Sequence, residues 1–324
     1  MTAFPTGISR HHVASRLTLA GLVLVSAGGC TKNFVLRPVS PTRDLYAAAA
    51  QAAPTSIGIR DARSGSAKPF STGTLRVAFE GMDDEIAYLA DNLVAVLNAE
   101  GIKVTHDKSE NADVKVQVLT YRMRNLRTNG FSPYHTFTTF SAELAGDPPR
   151  RITAYFKNSK VPMWAFREVE RPCYQVPAEV VVKEIAAKLN ARVFGRVAAT
   201  ETVERIAASI PSGSADAASE QYLKVLELGY TNNPAAVPVL VRLAAREETL
   251  MRASAISALG MLGATEQLPL LEKVYANGDG LVKSMAVKSI GDLDTPEARD
   301  FLSGVKQSKD YDDDTIREVV DLYQ

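Results

Sequence analysis

Two cysteines, Cys30 and Cys173, are the side chains of this sequence with the clearest potential for covalent chemistry. Cys30 follows small residues that close an apolar run from Leu17 to Val25, and basic residues precede that run. A basic start, a short apolar core and small residues before a break are typical of a secretory signal peptide. Because the run is roughly half of the ~20 residues that a membrane-spanning helix needs, we predict a signal peptide over residues 1–29.

The residues around Cys30 resemble the lipobox of bacterial lipoproteins. In that family the cysteine thiol carries lipid, with palmitate as the expected acyl group, and the cysteine becomes the mature N-terminus. Ala27 stands where the pattern usually has Leu; an ordinary signal peptide cut near Gly29 and an unprocessed apolar N-terminus are the alternatives. Since Thr31 and Lys32 follow, rather than the Asp of inner-membrane lipoproteins, the resemblance implies a lipid anchor on the periplasmic side of the outer membrane.

Catalytic motifs are missing from the sequence. After the signal peptide only His106 and His135 remain as histidines, and neither has neighbours at metal-ligand spacing. There is no GxSxG, HExxH, Walker or GxGxxG motif. With Cys30 acylated, Cys173 has no disulfide partner, and we predict a small buried side chain there. We therefore expect no enzyme, metal or cofactor; the enzyme alternative would need Cys173 as nucleophile with His106 or His135 as base.

Composition excludes further classes of function. The 324 residues contain 37 Lys and Arg against 37 Asp and Glu, and removing Arg10 and Arg16 with the signal peptide leaves a net charge of about −2. No basic excess points to nucleic acid. The hydrophobic content of 46% is ordinary for a globular protein, and the length allows two domains.

Residues 71–208 alternate between strand-type and helix-type patterns. Leu75, Val77 and Phe79 alternate with other residues as in a half-buried strand, and the acidic run from Asp83 to Glu85 stands where a helix would begin. The order β-α-β-β-β-β-α predicts an α+β domain, a small mixed-sheet sandwich with helices on one face. This order is similar to that of the YajG-like envelope lipoproteins. Residues 30–70, rich in Ala, Pro, Ser and Thr, are predicted to be a lipidated flexible tether.

A repeat follows a predicted linker over residues 209–219. In residues 220–324, Val237-Pro238-Val239-Leu240 recurs 31 residues later, and so does the helix that carries Ala255 and Gly260. The pattern resembles short HEAT repeats of the phycobilisome-lyase kind, in which each unit is a pair of helices and small residues allow close stacking. It predicts an all-α HEAT-like solenoid of two good units and a poorer third. Ala255 and Ala286 are then buried, Gly260 and Gly291 end helices, and Ser257 and Lys288 lie on the opposite, tolerant face.

Two stretches are candidate interfaces. Arg122 and Arg124 form a small basic patch at the end of a predicted strand, with a solvated strand face as the alternative. Aromatic and Arg side chains favoured at contact hot spots cluster in a Pro-rich segment, for which a loop that plugs the core is the alternative. These are Trp164, Phe166, Arg167 and Tyr174.

Together these features predict an outer-membrane lipoprotein that faces the periplasm. We expect a non-catalytic scaffold or adaptor that binds protein partners of the cell envelope, because solenoids present extended surfaces. The alternative function is an accessory lipoprotein that handles lipid or peptidoglycan through the α+β domain.

Overall fold

The computed structural model describes residues 31–47, 53–109, 111–129, 131–161, 165–211 and 220–324. The predicted signal peptide, Cys30, Trp164 and residues 212–219 of the predicted linker lie outside the described residues. Residues Thr31–Gln324 form one compact unit, in which a mixed sheet comes first and a helical repeat follows.

The first half of the chain builds the mixed sheet and its two helices. The elements are β1 (Lys32–Val35), β2 (Thr55–Asp61), β3 (Ser71–Gly73), β4 (Val77–Glu80), α1 (Glu85–Ala99), β5 (Val104–His106), β6 (Val114–Leu126), β7 (Tyr134–Leu144), β8 (Arg150–Lys160) and α2 (Val176–Leu189). The larger sheet has the order β5-β2-β6-β7-β8, with β3 also beside β6, while β1 and β4 form a separate pair. β2 runs parallel to β5 and β6, whereas β6, β7 and β8 are antiparallel neighbours, so the predicted mixed sheet is confirmed.

Local sequence explains the helix start and the long hairpin. The Asp84 carboxylate accepts hydrogen bonds from the backbone N–H groups of Ile86 and Ala87, both at 2.8 Å, and caps α1 as the acidic run predicts. The aromatic and Thr-rich stretch forms β7, which pairs along its whole length with β8. The two strands thereby reach from one end of the sheet to the other.

The predicted tether is wrong for the described part of residues 30–70. β1 pairs with β4 and β2 lies between β5 and β6, while Phe34, Leu36 and Tyr46 are buried. Both strands find partners far along the chain, so neither produces the local periodicity that would identify it. The irregular stretch between them is also held, since the backbone N–H of Val39 donates to Asn92 Oδ1 at 2.6 Å.

The second half of the chain is a succession of helix pairs. The pairs are α3 (Thr200–Ala208) with α4 (Tyr222–Tyr230), α5 (Val237–Ala244) with α6 (Thr249–Met261), α7 (Leu268–Asn277) with α8 (Gly280–Leu293), and α9 (Pro296–Lys306) with α10 (Asp314–Tyr323). The predicted repeat thus begins one unit earlier than the 31-residue pattern indicates. Ala255 and Ala286 are buried, as the stacking of second helices requires.

Gly260 and Gly291 lie inside α6 and α8, so their predicted role as helix ends is wrong. They allow close approach between successive second helices. A Cβ added at Gly260 would lie 2.6 Å from Ser289 Cα, and one at Gly291 would overlap the Tyr323 ring. Gly229, another 31 residues upstream, makes the same kind of approach to Ala258. The 31-residue spacing of these glycines therefore marks close contacts between helices and not the ends of helices.

The helix face that carries Ser257 and Lys288 is buried, which contradicts the expectation of a tolerant surface. α6 and α8 are covered on both sides, one by the first helices of the repeat and the other by the sheet domain. On this second side, Phe156 of β8 lines a narrow gap together with Leu226, Ala253 and Met285 of the repeat. The inner face of the repeat is therefore occupied by the chain's own sheet domain.

Candidate binding cleft

A buried ionic cluster joins the sheet domain to the repeat. Glu184 and Lys188 come from α2, and Lys288 and Asp292 come from α8; each pair is four residues apart and so lies on one helix face. Four Nζ–carboxylate distances close the cluster: 2.6 Å for Lys188–Glu184, 2.6 Å for Lys188–Asp292, 2.7 Å for Lys288–Glu184 and 2.8 Å for Lys288–Asp292. We call these four residues the ionic quartet.

The quartet also makes hydrogen bonds to groups outside it. Lys188 Nζ donates to the Thr153 carbonyl at 2.5 Å, Lys288 Nζ donates to Ser257 Oγ at 3.0 Å, and the Tyr323 hydroxyl donates to Asp292 at 2.6 Å. Burial alone would lower the pKa of Lys288, but attraction to Asp292 and Glu184 outweighs it and raises that pKa. Burial would likewise raise the pKa of Asp292, but Lys188 and Lys288 hold it below its usual value. The quartet is thus a charged, balanced junction with a structural role.

A second ionic contact between the two halves joins partly exposed arginines to a carboxylate whose side chain is 7% exposed. Arg122 and Arg124 of β6 reach Glu318 of α10, with Arg124 Nη2 at 2.6 Å from Oε2 and Arg122 Nη2 at 3.5 Å from Oε1. The Arg124 guanidinium also lies 4.4 Å above the ring of Phe137. The predicted basic patch therefore exists, and α10 contributes its counter-charge.

These residues line a cleft of about 470 Å³ between the sheet and α10. Its polar lining combines guanidinium groups with hydroxyls and carboxylates, from Ser66, Thr120, Arg122, Arg124, Thr139, Ser141, Arg151, Asp314, Arg317, Glu318 and Asp321. The four guanidinium groups outnumber the three carboxylates. The volume falls within the range typical of small-ligand sites. We call this space the arginine cleft.

Part of the cleft's polar lining has no partner among the described residues. Arg122 Nε, the hydroxyl of Thr139 and Glu318 Oε1 are buried and make no hydrogen bond there, and Arg151 forms no ion pair within the described part of the chain. Guanidinium groups with free N–H donors bind carboxylates and phosphates well, and neighbouring hydroxyls add acceptors and donors for a hydroxylated ligand. The cleft can therefore hold an acidic group of a partner.

The residues of the predicted aromatic interface differ in burial. Tyr174 is fully buried, with its ring 4.8 Å from that of Phe34 and its hydroxyl against that of Tyr134, so its assignment to an interface is wrong. Aromatic side chains of β1 and β7 pack around the Tyr174 ring and cover it. Phe166 is half-buried, Arg167 is exposed, and Trp164 lies outside the described residues.

Cys173 is buried, as predicted, and its thiol lies 3.7 Å from the Tyr134 carbonyl oxygen. Burial raises the pKa of Cys173 to about 12, so the thiol is a poor nucleophile at neutral pH. Burial, with help from Lys157, lowers the pKa of His135. Within the described residues no group of three His, Cys, Asp or Glu side chains has the arrangement of a metal site.

No helix of the described part of the chain combines the length and apolar character needed to cross a membrane. The anchor predicted at Cys30 lies outside that part, as stated above.

Sequence reasoning identified Arg122 and Arg124 but missed their partner Glu318 and the whole quartet. The quartet has a sequence signal, since Glu184–Lys188 and Lys288–Asp292 are opposite charges four residues apart in otherwise apolar helices. Glu318 and Arg151 have no such signal, because they join the cleft only when α10 packs beside the sheet.

A known family matches the helical part of this architecture. Residues 214–284 match the family model of HEAT repeats. A minor lipoprotein from Acinetobacter baumannii is similar in structure, with 14% identity, a TM-score of 0.29, and coverage of 45% of this chain and 97% of that one. A protein of the DUF330 family model from Xanthomonas campestris is similar too, with 15% identity, a TM-score of 0.32, and coverage of 50% and 99%. No curated protein matches the chain. The chain thus combines a mixed-sheet domain with a C-terminal region that contains HEAT repeats.

Proposed function

We propose that this chain is a non-catalytic lipoprotein of the cell envelope that recruits protein partners while anchored through Cys30. The anchor would hold it on the periplasmic side of the outer membrane. HEAT repeats generally serve protein–protein contact, and the match at residues 214–284 supports that role.

The arginine cleft is the single observation that carries the binding proposal. In this chain the sheet domain covers the inner face of the repeat, so a partner needs another surface. The cleft lies where the sheet meets the repeat and holds donors without partners, on Arg122 and Thr139, within the described residues. We propose that it receives an acidic side chain or terminal carboxylate of the partner.

Photo-crosslinking in intact cells tests the cleft. A photoreactive residue replaces Ser66, which lines the cleft and is exposed, and a matched control replaces Ala145, exposed in the turn between β7 and β8. We expect a discrete crosslinked protein from position 66 and none from position 145. Arg151→Glu should abolish the position 66 crosslink, while Arg150→Glu, an exposed neighbour outside the cleft, should preserve it. An unchanged crosslink in Arg151→Glu contradicts the proposed use of the cleft.

The anchor has its own test. Cys30→Ser should stop incorporation of labelled palmitate and leave the chain uncleaved or released in soluble form. Continued palmitate labelling and membrane partition of this variant would contradict the anchor.

The hydroxyl groups of the cleft support a second candidate, an accessory lipoprotein that handles peptidoglycan. Thr120, Thr139 and Ser141 beside guanidinium groups suit a ligand that carries both carboxylates and hydroxyls. Sedimentation of the purified protein with protein-free cell-wall sacculi tests this candidate. Binding that is lost in Arg151→Glu but kept in Arg150→Glu favours it over a protein partner, and the absence of binding excludes it.

A further inference from the structure

The first strand begins almost at the anchor residue. β1 starts at Lys32, only two residues after Cys30, and it is tied into the fold because the backbone N–H of Lys32 donates to the Arg76 carbonyl at 2.9 Å. Two residues reach at most about 7 Å. A lipid on Cys30 would therefore hold this end of the sheet at the membrane surface instead of at the end of a long tether.

The same end of the sheet exposes apolar side chains. Phe131, in the turn between β6 and β7, is 95% exposed, and Val161, directly after β8, is 46% exposed. Contacts link this turn to the start of β1. Arg127 Nε donates to the Ser132 carbonyl at 3.3 Å, and the Arg127 guanidinium and the Lys32 ammonium each lie 5.9 Å from the centre of the Phe166 ring.

Basic side chains lie at the same end of the sheet as Phe131. Lys160 pairs with Tyr134 at the end of β8 and is exposed, and Arg167 is exposed beside Phe166. Two nearby carboxylates are engaged by backbone amides: Glu168 accepts from Ala165 at 2.8 Å and Glu170 from Val35 at 3.3 Å. We call the surface formed by Lys32, Arg76, Arg127, Phe131, Lys160 and Arg167 the anchor face.

We infer that the anchor face lies on the surface of a bilayer that contains anionic phospholipid. The inference rests on the proposed lipid anchor at Cys30. Phe131 enters the boundary between headgroups and acyl chains, where exposed aromatic side chains are favoured, and the surrounding cations contact lipid phosphates. The strands β7 and β8 then run away from the membrane. Each strand has eleven residues, so the turn at their other end, which contains Ala145, lies about 35 Å from the membrane.

Fluorescence quenching by brominated lipid tests this orientation. The full acylated chain is purified and reconstituted in vesicles of phosphatidylethanolamine and phosphatidylglycerol that contain brominated lipid. Trp164, the single tryptophan, is replaced by Phe, and a new tryptophan is placed by Phe131→Trp or, as the matched control, by Ala145→Trp at the far end of the same hairpin. We expect the Phe131→Trp variant to lose most of its emission and the Ala145→Trp variant to lose none. With phosphatidylcholine in place of phosphatidylglycerol, the loss at position 131 should fall several-fold.

Vesicle flotation, measured on the same samples, separates the two proposals. If the chain floats with the vesicles but position 131 is not quenched, or is quenched no more than position 145, the anchor face is wrong and the anchor stands. Equal quenching at position 131 in both lipid mixtures overturns the role of anionic lipid. If the chain neither floats nor shows quenching, the anchor and the anchor face are both wrong. Quenching at position 131 without stable flotation supports the face and contradicts the anchor.

Discussion

The sheet domain and the repeat meet at two ionic contacts that use the same chemistry in different surroundings. In the ionic quartet the side chains of Glu184, Lys188, Lys288 and Asp292 are at most 9% exposed. At the arginine cleft the Glu318 side chain is also buried, at 7%, but Arg122 and Arg124 remain 31% and 23% exposed. The first contact is closed and balanced, with two positive and two negative groups. The second keeps donors that are not used within the described residues.

The difference separates what holds the molecule together from what can bind. Removing one member of a buried ion pair leaves an uncompensated charge away from water, whereas a partly exposed charge is screened by solvent. We therefore expect substitutions in the quartet to change the free energy of unfolding, and substitutions in the cleft to change binding.

Asp292→Asn should have the largest effect. It leaves Lys188 and Lys288 with a single buried carboxylate, and we expect a loss of about 3–5 kcal/mol in the free energy of unfolding. Urea unfolding followed by circular dichroism measures the change. The control is Arg171→Met, which breaks the exposed Arg171–Glu220 pair and should cost less than about 1 kcal/mol. Equal losses in the two variants would remove the distinction between closed and open contacts.

Another carboxylate, that of Glu100, sharpens the comparison because it is buried without an ion pair of its own. Both of its oxygens lack hydrogen-bond partners among the described residues, and burial raises its pKa to about 8, with Lys183 opposing. In the unfolded chain the pKa of Glu100 is near the ordinary value for Glu. The folded state therefore keeps Glu100 protonated between that pH and about pH 8, where the unfolded state has lost the proton. The free energy of unfolding is therefore highest, as far as Glu100 is concerned, at low pH, and it falls as the pH rises through this window.

Glu100→Gln removes the titrating group and keeps the shape. We expect it to raise the free energy of unfolding at pH 8 by about 3 kcal/mol and to leave it little changed at pH 5. Urea unfolding at several pH values gives the comparison. A constant difference between wild type and variant across this range would show that Glu100 does not titrate with a raised pKa.

Gly291→Ala tests how closely the repeat must pack beside the quartet. The new Cβ would press on the ring of Tyr323, whose hydroxyl donates to Asp292, and overpacking of this kind typically costs about 1–3 kcal/mol. Gly304→Ala is the matched control, because the added Cβ in α9 meets no atom within 4 Å and should stabilise the helix by about 0.5–1 kcal/mol. Thermal unfolding distinguishes a lowered from a raised midpoint, and a raised midpoint in Gly291→Ala would contradict the close approach.

Glu318→Gln should have the smallest effect on stability. The Glu318 side chain is 7% exposed, but the two guanidinium groups that lose their counter-charge are 31% and 23% exposed and stay solvated, so we expect a loss of less than about 1 kcal/mol. The same change frees both guanidinium groups and should strengthen binding of an acidic partner, measured as a higher yield of the position 66 crosslink. A loss as large as that of Asp292→Asn would mean that the cleft is a structural junction after all.

Local sequence determined the features that depend on near neighbours. The cap at Asp84 needs only amide groups two and three residues ahead, and the β7–β8 hairpin needs only two adjacent strands. The 31-residue period also predicts the stacked repeat, because each unit contacts the next. The burial of Ala255 and Ala286 follows from that period.

Tertiary structure decided the features that depend on distant partners. β1 and β2 lie in a stretch of tether-like composition and become strands only beside β4, β5 and β6. From sequence alone Lys288 is predicted to be a surface residue, but α2 places Glu184 against it. Gly260 is predicted to end a helix, but its role is to let α8 come close. Arg122 and Arg124 read as a solvated patch until α10 supplies Glu318. Sequence records the periodicity of an element, but which surface covers each of its faces is set only when the two halves of the chain pack together.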